Sequence, residues 1–193
     1  MQRLTRSDLL SLEQYARERD VFRARVLAHK KLRTIAVGPN MTWIFEDRLS
    51  VQYQVQEMLR TERIFEPEGI AEELNAYNPL IPDGANWKAT MLIEFPDPEV
   101  RQQRLAALKG VEHHCWIGIA STPRSVAIAD EDLDRSNDEK TSAVHFLRFE
   151  LGAERVAALR AGAALQLGVE HPQYPHLVTV NEQSRLALIK DLS

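Results

Sequence analysis

The sequence predicts an α+β fold built on a mainly antiparallel β-sheet, and three observations carry that prediction. Short β-type runs come in pairs joined by tight turn sequences, which sets their strands side by side and antiparallel. Runs with helical spacing of apolar residues stand before and between those pairs instead of alternating with single strands. The 193 residues hold one cysteine, so the core is built by packing alone, and that length suits a single domain over 1–193.

Taken in order, Thr5 with Asp8 three residues on resembles a helix-capping box, and Leu9, Leu12 and Tyr15 continue a helical pattern. A second helical stretch covers 20–32 and completes a helical N-terminal region. Residues 34–37 and 41–45 flank Gly38-Pro39-Asn40 and read as a hairpin. The stretch 48–64 reads as a helix whose buried stripe is Val51, Val55, Met58 and Leu59. At about 100° per residue, Glu62 falls within that stripe, one turn past Met58. Pro67 opens a short helix carrying Ile70, Leu74 and Tyr77 on one face, and Asn78-Pro79 stops it. The loop 78–86 follows, and 87–95 alternates as a strand. Pro96-Asp97-Pro98 starts a helix towards Leu108.

Residues 115–120 and 125–129 pair as a hairpin around Thr122-Pro123-Arg124. A strand over 142–151, a short Ala-rich helix near Arg155, a hairpin of 163–169 with 176–180 and a helix over 182–190 complete the chain. Helices pack on this sheet, and barrel-like closure is one way of joining its hairpins.

The longest apolar runs are strand-length, far short of the ~20 residues of a membrane span. Arg3 and Arg6 precede a helix cap with no apolar signal segment, and the lone Cys115 fits a reducing compartment, so the cytoplasm is the expected location. Net charge is −4 but uneven: residues 1–33 carry nine Lys/Arg against four Asp/Glu. The basic stretch Arg17, Arg19, Arg23, Arg25, Lys30, Lys31, Arg33 could face phosphates. Phe22 is the only aromatic interleaved with it, which gives bases little to stack on, so a solvated helix face is the better reading and nucleic acid is not an expected partner.

A carboxylate on a buried stripe must be paired, hydrogen-bonded or protonated, which makes Glu62 either a structural pin or a ligand. His145 shares a strand face with Ala143, Leu147 and Phe149; an inward imidazole there is a hydrogen-bonded core residue or a metal ligand. His171 ends a strand beside a loop, a position open to ligation. No Glu-x-x-His pair occurs on a helix, so any metal site is assembled from distant segments. Glu62, His145 and His171 form the expected set for a transition metal ion. Asn78, Asp83 and Asn86, in a loop stiffened by proline, are the expected binding-loop residues.

His113 and Cys115, two apart, could pair a base with a nucleophile, yet no Gly-rich elbow accompanies them. The acidic run Asp130, Glu131, Asp132, Asp134, Asp138, Glu139 fails as a calcium loop, with Arg135 in place of glycine and Thr141 in place of glutamate. There is no G-x-G-x-x-G, P-loop or paired-cysteine motif, so no catalytic residues are assigned.

Several stretches are distinctive. Phe45-Glu46-Asp47-Arg48, residues 54–60, residues 62–70, Ala76-Tyr77-Asn78-Pro79-Leu80-Ile81-Pro82-Asp83-Gly84 and residues 140–151 together resemble an uncharacterised bacterial domain-of-unknown-function family over nearly the whole chain. Members tend to be encoded beside rubrerythrin and an iron–sulfur protein similar to heterodisulfide reductase subunits. The resemblance implies an accessory role near peroxide defence or iron-dependent redox chemistry, with a redox protein as partner, and assigns no residue a role.

Overall fold

The computed structural model of the chain describes residues 2–120, 122–137 and 139–193. Ser11 caps α1 (Leu12–Lys31) by accepting the Gln14 N–H. The Thr5–Asp8 box instead closes a separate 3-10 turn at Arg6–Asp8. The two helical stretches expected over this region are thus one helix. Between Arg17 and Asp20 the chain has neither glycine nor proline, and a charged run continues a solvated helix without penalty.

β1 (Thr34–Ala36) and β2 (Met41–Phe45) form the expected hairpin, with Ile35 opposite Trp43. Asp47 caps α2 (Arg48–Thr61), and Pro67 occupies the first turn of α3 (Pro67–Tyr77). Then come β3 (Asn86–Ile93), α4 (Pro98–Ala107), β4 (Cys115–Ile119), β5 (Ser125–Val126), β6 (Ile128–Ala129) and β7 (Val144–Glu150). The chain continues through α5 (Gly152–Arg160), β8 (Leu165–His171), β9 (Tyr174–Thr179) and α6 (Glu182–Ile189).

Two antiparallel sheets result, ordered β1-β2-β3-β7-β6 and β5-β4-β8-β9. Neither closes into a barrel. Residues 125–129, expected as one strand, divide at Ala127. Ser125 and Val126 pair with β4, whereas Ile128 and Ala129 pair with β7 in the other sheet. That crossover carries the chain between the layers and delivers Asp130 onto the neighbour strand of β6.

Alternation along β2, β3 and β7 sends Trp43, Phe45, Trp87, Met91, Leu147 and Phe149 into the space between the sheets, where Ile117, Leu165 and Leu167 meet them. Trp43 stacks on Phe149 at 5.4 Å between ring centroids. A smaller cluster of Leu4, Val51, Val55, Leu59, Ile70, Leu74 and Ile81 joins α2, α3 and the N-terminal segment.

On the second sheet, Trp116 lies opposite Gly168 with the Arg124 guanidinium 3.6 Å over its ring. A Cβ on Gly168 would stand 2.2 Å from the indole, so only glycine leaves room for it. Arg33, expected among solvated cations, is 1 % exposed. It is ion-paired to Asp191, with Asp47 at 3.7 Å.

Candidate metal centre

Glu62 does not face the core. Helix α2 stops at Thr61, and the Ile64 N–H reaches back 2.9 Å to the Leu59 carbonyl across Arg63 at φ 56. This is a Schellman-type ending, with Ile64 tucked against the cluster that holds Leu59. The turn leaves Glu62 as an exposed C-cap instead of a member of the buried stripe. Extrapolating the helical angle past the true end of the helix is what placed it inside.

His145 is fully buried on β7, opposite Met91. Its partners come from segments far apart in sequence. Asp130, just past β6, adopts the left-handed conformation at φ 50, which aspartate tolerates. Its carboxylate thereby turns back onto β7. Oδ1 accepts the Phe146 N–H at 2.9 Å, and Oδ2 lies 2.6 Å from His145 Nδ1.

On the other side of the ring, Nε2 lies 2.9 Å from Thr141 Oγ1, 3.1 Å from the Ser142 carbonyl oxygen and 4.0 Å from Glu112 Oε2. Glu112 stands in the turn Val111–His114, which Gly110 enters at φ 78, and is 3 % exposed. Its Oε1 accepts the Ser136 hydroxyl at 2.8 Å. One ligand atom from each of Glu112, Asp130 and His145 lies within 4.8 Å of the others.

Arg135 approaches this group from outside, 3.4 Å from Asp130 Oδ1, while gripping Asp132 at 2.7 and 2.8 Å. The acidic run is thereby neutralised locally. Arg148 binds Glu131 in the same two-pronged way, Asp134 accepts the Ser136 N–H, and Asp138 lies outside the described residues.

Asp130, His145 and Thr141 stand in the order of an acid–base–hydroxyl relay. Thr141 is 1 % exposed, however, and its hydroxyl is enclosed by His145, Ser136 and Glu112. It is not presented to a substrate. The set of one imidazole nitrogen and carboxylate oxygens suits a divalent transition metal, with Asp130 orienting the ring through Nδ1.

His171 is elsewhere, at the end of β8 in the other sheet, and both its ring nitrogens are engaged. Nδ1 accepts the Gln173 N–H, so Nε2 carries the proton that it donates to the Lys109 carbonyl at 3.2 Å. Burial holds its pKa below the ordinary value and keeps the ring neutral. His113 sits in the turn before β4 with its side chain exposed. Cys115, two residues on, is buried with Sγ 3.4 Å from the Val111 carbonyl, and burial pushes its thiol up, so they form no nucleophile–base pair.

In the loop, Asn78 brackets the Leu4 backbone, accepting its N–H at 2.7 Å and donating to its carbonyl at 2.9 Å. Asn86 donates to Asp83 at 2.9 Å, and Asp83 accepts the Ala85 N–H. Asp83 and Asn86 also line a cleft of about 480 Å³ over the outer face of the first sheet, floored by Lys88, Phe146 and Arg148. Asn78 does not line it.

A family model described as a protein of unknown function (DUF3501) matches residues 3–192. A crystal structure of a novel protein of unknown function from Burkholderia pseudomallei K96243 is 46% identical, with 100% of each chain covered and a TM-score of 0.94. Among curated proteins nothing matches.

Proposed function

The chain belongs to the DUF3501 family, and on that premise we propose that it is a metal-binding accessory protein whose centre is Glu112, Asp130 and His145. The observation that carries this reading is the convergence of those three side chains, from a turn, a strand end and a strand, within 4.8 Å of one another. A buried carboxylate pair is costly unless cations or donors compensate it. Here the compensation comes from His145, Arg135 and two hydroxyls, and a divalent cation would supply more of it.

Glu112 and His145 Nε2 face each other across 4.0 Å and would hold the ion. Asp130 would fix the ring from the far side, in the carboxylate–histidine–metal arrangement. With few protein donors at this centre and its Thr141 hydroxyl enclosed, the ion would be carried or sensed by the protein. A redox protein is the fitting partner, in line with the role in iron-dependent redox chemistry that the resemblance implies.

Metal content by mass spectrometry, on protein made without a His tag or chelator, tests the reading. Near-stoichiometric iron, zinc or manganese is expected in the wild type and absent from His145→Ala and from the isosteric Glu112→Gln. Metal-free wild-type protein, or variants retaining the ion, would sink it.

A further inference from the structure

A second feature adjoins the metal centre. α4 and residues 135, 137 and 140–143 line a cleft of about 610 Å³, tied together where the Thr141 N–H donates to the Leu105 carbonyl. Three cations line it, Arg101, Arg135 and Lys140, and no carboxylate does among the described residues. The described lining residues are thus positively charged within a chain of net charge −4. Arg135 is already held by Asp130 and Asp132. Arg101 and Lys140 form no ion pair among the described residues.

Two neutral residues of the lining, Asn137 and Ser142, have oxygens that already accept from the backbone. Asn137 Oδ1 accepts the N–H groups of Glu139 and Lys140 at 2.9 and 2.8 Å, which leaves the Asn137 amide N–H pair free of partners among the described residues. Ser142 Oγ accepts the Val144 N–H at 3.0 Å, so its remaining hydrogen-bonding capacity includes its own O–H. Residues bearing guanidinium, ammonium, amide N–H and hydroxyl groups line one concavity of a size that small ligands occupy.

We propose that this cleft binds a small, multiply charged oxyanion of phosphate or polycarboxylate type. Arg101 and Lys140 supply the uncommitted charge, Arg135 the fixed field, and Asn137 and Ser142 the directional hydrogen bonds. The cleft adjoins the metal centre through Arg135, 3.4 Å from Asp130, and Ser142, whose carbonyl faces His145, but the two residues varied in its test, Arg101 and Lys140, contact none of Glu112, Asp130 and His145 among the described residues.

Thermal shift and calorimetric titration with inorganic phosphate and with citrate, at constant ionic strength against potassium chloride, test it. At least one anion should stabilise the protein saturably, and the stronger of the two identifies the ligand type. The double variant Arg101→Ala/Lys140→Ala, both sites being exposed, should keep its anion-free melting temperature and bind about tenfold or more weakly. Lys140→Arg should bind like wild type. The proposal fails if neither anion exceeds the chloride control, or if the double variant responds as the wild type does. Binding of a DNA duplex or an acidic peptide without binding of either small anion would also overturn it, by moving the surface to a macromolecular partner.

Discussion

His145 shows how far a single residue can be read before its neighbours are known. Its period-two position among Ala143, Leu147 and Phe149 announces an inward side chain, and it is fully buried. Its partners were not legible. Glu112 has no sequence signal within Val-Glu-His-His, and Asp130 stands among acidic residues that a calcium-loop template rejects. Only the left-handed turn at Asp130 and the entry through Gly110 bring them to the ring. Glu62 teaches the reverse lesson, because periodicity says nothing about where a helix ends. The exposed C-cap makes a plain prediction. Glu62→Gln should change stability by no more than about 0.5 kcal/mol, and a denaturant titration beside the wild type checks it. A loss several times larger would restore the core-facing reading.

At the scale of elements, hairpins and helix starts were legible because turn residues and caps are local chemistry. The division of 125–129 between two sheets was not, since nothing in five residues says which neighbour each half will meet. The docking of α1 is also non-local. Only Tyr15 and Val26 of that helix are buried, and polar contacts hold it to α2. Arg19 grips Glu57 with two bonds of 2.7 Å, and the Tyr15 hydroxyl donates to the same carboxylate at 2.7 Å. The Arg19 guanidinium first, then the Tyr15 hydroxyl, hold the Glu57 carboxyl down to about 2 from an ordinary 4.5. A lowered folded-state value means that the stabilisation is complete above about 4.5 and fades as pH falls towards 2. Both side chains are about a quarter exposed, so the pair contributes about 1 kcal/mol. Glu57→Gln should cost that much at pH 7, and the gap between the two melting curves should narrow on acidification. A gap that stays constant with pH would assign the loss to packing.

Across the whole molecule, one apolar cluster takes residues from both sheets, so neither sheet keeps its inner face covered without the other. Trp43 and Trp87 report on the first sheet and Trp116 on the second. Tryptophan fluorescence and far-ultraviolet circular dichroism should therefore follow one coincident unfolding transition. Separate midpoints would divide the chain into independent units and overturn the expectation of a single domain. Arg33 adds a consequence for how this fold is reached during synthesis. Its principal counter-charge, Asp191, is 158 residues downstream. Until the ribosome has released that segment, the pocket at the end of α1 holds an incompletely neutralised cation and stays open to water. The first layer of the protein is therefore provisional during translation, and its final closure is set by late-arriving sequence instead of by its own hairpin.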